Sequence, residues 1–168
     1  MKLLIITQKI NVSDPILGFF HRWVEEFAKN FEHVTVICLE KGEYSLPGNV
    51  NVLSLGKENG RSKIKHLYKF YKYIWQGRNK YDAIFVHMNQ EYVLLGGLLW
   101  KMLRKKISLW YMHKAVTLSL RAAEKIVDVI FTASKESIRI PSKKIVIMGH
   151  GIDLDRFKEG LQKINQSE

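Results

Sequence analysis

Imidazoles and short polar clusters next to apolar runs are the residues of this chain that could do chemistry. His113 follows the apolar run 107–112, and His87 closes the run 82–87. Asn89, Gln90 and Glu91 come directly after His87. Such a cluster offers donors and acceptors together, which suits a hydroxyl-rich ligand. It equally suits a helix start, with Asn89 as cap and Glu91 facing the helix dipole. His21 joins His87, Asn89 and Gln90 in the ligand-facing set. Gly18 opens a helical pattern. Amides at a helix start suit a phosphate, and a glycine lets it come close. A plain glycine beginning the helix after Pro15 accounts for it as well. His113 reads either as a hydrogen-bond donor in a cleft or as a surface histidine of a strand–helix loop. His33 and His66 read as structural.

Several other chemistries lack their residues. No G-x-G-x-x-G follows the first apolar run, so a dinucleotide fingerprint is missing. Gly56-Lys57 is followed by Glu58 and has no upstream glycine, which excludes a P-loop. No set of His, Cys and carboxylates has metal-site spacing, and no metal or other cofactor is expected. Asp153-Leu154-Asp155 has the D-x-D spacing of some metal-dependent sugar transferases. It falls in the last loop, where helix capping is the simpler role.

Strand-like and helix-like segments alternate around these residues. Strands are expected at 2–7, 33–39, 51–55, 82–87, 107–112, 128–133 and 144–148. Helices are expected at 17–30, 62–76, 91–105 and 117–127, from apolar spacing of three and four. The strands are mostly continuous apolar runs such as Ile84-Phe85-Val86 and Val129-Ile130-Phe131. That suits a parallel sheet buried on both faces. The expected fold is therefore α/β, a three-layer α/β/α Rossmann-like domain with a doubly wound, mostly parallel sheet. Ligands of such sheets sit at the carboxyl ends of the strands. The loops 8–16, 87–91, 113–117 and 134–141 are the candidates.

The charge is strongly basic: 27 Lys and Arg against 16 Asp and Glu, a net +11. Such a balance favours polyanions: phosphorylated ligands, anionic lipid or nucleic acid. The stretch 61–80 holds seven basic residues and no acidic one. On a helical wheel, Ile64, Leu67, Tyr68, Tyr71, Ile74 and Trp75 form an apolar stripe expected to face the core. Lys65, Lys69 and Lys72 cluster beside it. Phe70 and Tyr73 fall off the stripe, toward solvent, as aromatics beside lysines do on a membrane surface. A solvated basic face is the other reading. Cys38 is the one cysteine, so a reducing cytoplasm is expected. The longest apolar run, 92–100, is too short to span a bilayer. A cytoplasmic domain is therefore expected, peripheral on the inner face of the membrane in the lipid-binding reading.

The closing segment, Lys144-Ile145-Val146-Ile147-Met148-Gly149-His150-Gly151-Ile152-Asp153-Leu154-Asp155-Arg156-Phe157, resembles the end of the N-terminal domain in glycosyltransferase family 4. Members typically read K-I-x-V-I-x-N-G-V-D-x-x-x-F there. Phe31-Glu32-His33-Val34-Thr35-Val36 is similar to the family's second strand, G-H-E-V-T-V. Asp82-Ala83-Ile84-Phe85-Val86-His87 and Trp110-Tyr111-Met112-His113-Lys114 resemble its fourth and fifth strands, which often end in His. Two features depart from the pattern. The first loop lacks the family's paired glycines, and the usual asparagine before the closing glycine is His150.

The resemblance implies the acceptor-side half of a two-domain (GT-B) enzyme, with residues 1–157 as the domain and 158–168 as the start of a linker. The implied reaction is retaining transfer of a sugar from a nucleotide diphosphate to a hydroxyl acceptor, without a bound metal. His113 would contact the donor sugar, Gly18 the donor phosphate or sugar, and His21, His87, Asn89 and Gln90 the acceptor. The nucleotide would be held by a second, donor-binding domain, in cis or as a separate chain. Alone, the half would be inactive and would self-associate through its exposed cleft face. Two alternatives stand beside this reading. One is a non-catalytic module that binds a partner or a membrane. The other, a nucleic-acid-binding domain, ranks last for want of a recognisable signature.

Overall fold

The computed structural model describes residues 1–60 and 62–149. Seven strands form one sheet: β1 (Lys2–Ile10), β2 (His33–Lys41), β3 (Val50–Ser54), β4 (Ala83–His87), β5 (Lys106–Trp110), β6 (Val129–Thr132) and β7 (Ile145–Ile147). Four helices connect them: α1 (Phe19–Asn30), α2 (Lys63–Gln76), α3 (Gln90–Met102) and α4 (Leu118–Ile126). The strand order is β3-β2-β1-β4-β5-β6-β7, and every pairing is parallel. The α/β Rossmann-like expectation is met, and the sheet is wholly parallel. The order reverses between β1 and β4, whose carboxyl ends therefore border the natural cleft.

The sheet's two faces are covered unequally. On one face α2, α3 and α4 bury Phe70, Ile74, Val93, Trp100 and Leu120 against Leu4, Ile84 and Leu109. On the other, α1 is the one helix among the described residues, and it packs Phe20 and Val24 against Ile5, Val36 and Phe85. Beside α1 a groove of ≈ 660 Å³ remains, walled by Trp23, Phe27, Phe85, Trp110, Phe131 and Met148. Close approach shapes the covered face. A Cβ on Gly97 would stand 2.5 Å from Ile126 Cγ2, so the glycine lets α3 and α4 cross tightly.

Helix α2 is rotated from its expected orientation. Phe70 is 1% exposed and Ile74 is fully buried, while Tyr73 is half-buried. Most of the expected core stripe lies outside: Ile64, Leu67, Tyr68, Tyr71 and Trp75 are exposed. Phe70 thus leaves the proposed membrane-facing set. Its ring, which has no polar atom to keep wet, packs 5.2 Å from Tyr92 and 6.2 Å from Trp100. Tyr68 and Trp75 each carry a polar tip that water or a headgroup can satisfy, and the Tyr71 hydroxyl donates to the Leu95 carbonyl. Lys65 and Lys72 are exposed as expected, and Lys69 is partly covered.

Strand β1 runs on to Ile10, so the loop behind it is residues 11–18. His150, the D-x-D pair Asp153 and Asp155, the boundary at 157 and the polar tail lie outside the described residues.

Candidate functional site

The loop before α1 is held from within. Asp14 accepts hydrogen bonds from the amides of Ile16 and Leu17 and an ion pair from Lys9 at 3.0 Å. The Leu17 amide first, then Lys9 and the Ile16 amide, lower the Asp14 carboxyl to about 2. Lys9 also pairs with Glu40, which ties the ends of β1 and β2 together. Gly18 has ordinary helical torsions at the α1 N-cap, so its need is spatial. A Cβ there would lie 2.5 Å from the Asp14 carbonyl oxygen and 2.9 Å from that of Val12. Its own N–H donates to the Asp14 carbonyl at 2.9 Å, and the next free-end amides, Phe20 and His21, bond back to Leu17 and Gly18. The amide expected to meet a phosphate is thus already engaged. The first turn of α1 carries no acidic residue of its own, and the negative charge at its entry is the Asp14 carboxylate on the Ile16 and Leu17 amides.

His87 ends β4 at the reversal point. It is 1% exposed, with Phe20 stacked on its ring at 3.9 Å and Phe19 and Trp23 around it at 6.0 and 5.9 Å. Its Nδ1 lies 3.3 Å from Thr7 Oγ1, which joins β4 to β1. Its Nε2 is buried without a hydrogen-bond partner among the described residues. Burial depresses the imidazole to about 3, so it is neutral at physiological pH.

The rest of the proposed acceptor set is also largely occupied. His21 is 6% exposed; its Nε2 accepts from the Ser45 amide and its Nδ1 faces Glu25 at 3.4 Å. It braces the 42–49 loop against α1. Gln90 is 8% exposed and donates to Glu91 and Ser119, linking the starts of α3 and α4. Asn89 occupies the N-cap position of α3, but its side chain makes no capping bond. In this conformation His21, His87 and Gln90 are buried, whereas a ligand-facing placement was expected of them. The sequence could not reveal the aromatic roof over His87, because α1 supplies it from far away in the chain.

His113 stands differently. It is exposed, three residues past the end of β5, in the loop leading to α4. Its Nδ1 accepts a hydrogen bond from the Ala115 amide at 3.1 Å. That bond assigns the tautomer: in the neutral ring the proton is on Nε2, which is left as a donor. The loop itself is anchored by Tyr111, whose hydroxyl donates to the Ala115 carbonyl, and by Thr117, which caps α4.

Two residues join the site that sequence reasoning missed. Met88, between β4 and α3, has a left-handed backbone with φ 61° and is part-exposed. Such a conformation is uncommon outside glycine. Its amide is fixed by the Trp110 carbonyl at 2.8 Å, so β5 holds the turn. Phe19, 45% exposed, forms the outer lid over His87. No residue-type signal points to either role. Among the described residues no group of three or more His, Cys, Asp or Glu is placed to hold a metal ion.

Gly18, His87, Met88 and His113 all fall within residues 12–115, the span matched by the sequence profile of the "Glycosyl transferase 4-like" family. The chain belongs to that family. No curated protein matches it in sequence. Solved structures similar to this glycosyl transferase 4-like chain share its fold at low identity. One is Anabaena HepE in complex with UDP, with 16% identity and a TM-score of 0.63, over 99% of this chain and 50% of HepE. Another is the lipopolysaccharide outer core galactosyltransferase WaaB, with 11% identity and a TM-score of 0.59, over 90% and 46%. A third is the UDP-GlcNAc 2-epimerase of Methanocaldococcus jannaschii, with 15% identity and a TM-score of 0.54, over 89% and 46%. The glycosyl transferase 4-like chain thus spans about half the length of these proteins. Their common architecture hosts both transfer and epimerisation, so the fold by itself does not choose the reaction.

Proposed function

We propose that this chain is the acceptor-side half of a retaining glycosyltransferase that uses a nucleotide diphosphate sugar and a hydroxyl acceptor. The observation that carries the reading is His113: an exposed imidazole at the carboxyl end of β5, its Nδ1 held by Ala115 and its Nε2 without a hydrogen-bond partner among the described residues. An imidazole N–H there donates to a sugar hydroxyl beside the carbon that becomes electron-poor as its bond to phosphate breaks. UDP bound to the HepE relative agrees with a diphosphate donor. The acceptor lies along the Phe19, Met88 and Asn89 rim. His21, His87 and Gln90 hold the walls of that rim rather than the acceptor itself.

The donor nucleotide is held by a second domain, in cis or on a partner chain. The chain alone therefore binds nucleotides weakly and turns nothing over. The test is calorimetric titration of UDP and a turnover assay with common nucleotide-sugars, on this chain alone and joined to a donor-binding half. Weak binding and no turnover alone, with transfer on joining, is the expected result. Tight, saturable nucleotide binding by the chain alone would overturn the division of labour. Epimerised donor in place of a transferred sugar would overturn the reaction.

A further inference from the structure

The outer surface of α2 and α3 is apolar where a solvated helix pair is polar. Helix α3 has apolar residues on nearly every side, a pattern normally found where a helix is buried all round. Yet Leu98 and Met102 are 75% and 74% exposed, and Leu94 and Leu95 are part-exposed with them. On α2, Ile64, Tyr68 and Trp75 are 80%, 68% and 53% exposed. The two surfaces adjoin, because the Tyr71 hydroxyl donates to the Leu95 carbonyl at 3.0 Å.

A row of cations borders this platform. At about 100° per residue, Lys65, Lys69 and Lys72 follow Tyr68 around α2. Lys65, Tyr68, Lys69, Lys72 and Tyr73 line a hollow of ≈ 410 Å³. Helix α2 contains no acidic residue. Among the described residues Lys65 and Lys72 have no ion-pair partner, and Lys69 donates to the Ser54 carbonyl. Leucines and methionine, then tyrosines and a tryptophan, then lysines: this is the order of chemistry met on passing from acyl chains to headgroups.

We propose that the α2–α3 face seats the domain on an anionic lipid bilayer. Ile64, Leu98 and Met102 enter the boundary of the acyl region. Tyr68 and Trp75 lie at headgroup level. The hollow between Lys65, Lys69 and Lys72 receives headgroup phosphate. Charge complementarity chooses this occupant over an apolar protein surface, against which three neighbouring lysines would need acidic partners. The proposal stands whether or not the cleft transfers a sugar.

Vesicle sedimentation of the full chain tests it. Vesicles of phosphatidylcholine alone are compared with vesicles one part in three phosphatidylglycerol, at low and at physiological salt. Binding to the anionic vesicles should exceed binding to the neutral ones by about tenfold or more and fall as salt rises. Lys65→Glu with Lys72→Glu should remove at least about tenfold of the anionic binding. Tyr68→Ser with Leu98→Ser should weaken binding about tenfold at every salt concentration. All four side chains are exposed, so the circular dichroism and melting temperature should be retained. Equal binding to both vesicle types, or no loss in the charge-reversed variant, overturns the proposal. So does absent vesicle binding with a dimer that Leu98→Ser dissolves, which would assign the face to a second copy. Binding confined to oligonucleotides overturns it as well.

Discussion

Phe20 lies flat on His87, their ring centroids 3.9 Å apart and their planes 17° from parallel. The stack fixes a neutral imidazole where β1 and β4 diverge, and it makes stability depend on pH. The unfolded imidazole takes a proton near 6.5, whereas the folded one resists protonation down to about 3. The folded pKa is lowered, so below 6.5 the unfolded state binds the extra proton. Stability from this residue is complete above about pH 6.5 and drains away as pH falls toward 3. Melting curves across that window should show the loss. His87→Leu should flatten the His87 part of the slope and cost about 1 kcal/mol at neutral pH, for the lost contact with Thr7. An unchanged slope would mean His87 is already protonated, or reaches water, in the fold.

His113→Ala should separate activity from folding. In the assembled enzyme, turnover should drop by about 10² or more, the range for a positioned hydrogen-bond or proton donor. Stability should change by less than about 0.5 kcal/mol, because the side chain is exposed. Steady-state kinetics beside a denaturant titration reads both. Near-wild-type turnover would leave His113 as a loop residue that only braces Ala115.

Gly18→Ala should destabilise the domain by about 1–3 kcal/mol. The added methyl meets two backbone carbonyl oxygens, which cannot swing aside as a flexible side chain does. Urea titration measures the cost. A neutral effect would show that the 11–18 loop yields freely.

Phe70→Ala and Tyr68→Ala test the orientation of α2. The first empties a site beside Tyr92 and Trp100 and should cost about 3–5 kcal/mol. The second removes an exposed ring and should cost less than about 1 kcal/mol. A reversal of these two values would restore the stripe-inward orientation.

Cys38 should be silent toward thiol reagents in the native state. It is buried in β2, and burial raises its thiol to about 12, so almost no thiolate exists at neutral pH. An aromatic disulfide reagent should label it only at the rate of unfolding. Prompt labelling would reveal easy local opening of the β2–β3 edge.

The sheet was legible because parallel strands buried on both faces write themselves mostly as apolar runs, and a strand formed at each of the seven expected places. The orientation of α2 was not legible. Ile64, Leu67, Tyr68, Phe70, Tyr71, Tyr73, Ile74 and Trp75 leave only the lysine side clearly polar. Periodicity cannot choose the core side of such a helix. Tyr92 and Trp100, supplied by α3, make the choice by receiving Phe70. At the site, His113 stands in the strand-end loop its sequence position suggests. The burial of His87 depends on Phe19 and Phe20, which pattern alone does not bring to it. The left-handed turn at Met88 is imposed by the hydrogen bond from its amide to Trp110.

Strand β1 finds both its neighbours later in the chain: Leu3 pairs with Val34 on one side and Ala83 on the other. In this wholly parallel sheet no strand pair can form as a local hairpin. During synthesis β1 must wait, first for β2 and then for β4, before its second edge is covered. The reversal point that borders the cleft is therefore among the later junctions of the first half to close. Nearly every sheet contact carries a long loop-closure cost before it gives any stability, which makes folding slow for a chain of this size. Until β4 arrives, one edge of the apolar segment Leu3–Ile6 is an open template. A ribosome-bound fragment ending before residue 83 should accordingly be the form of this protein most in need of a chaperone.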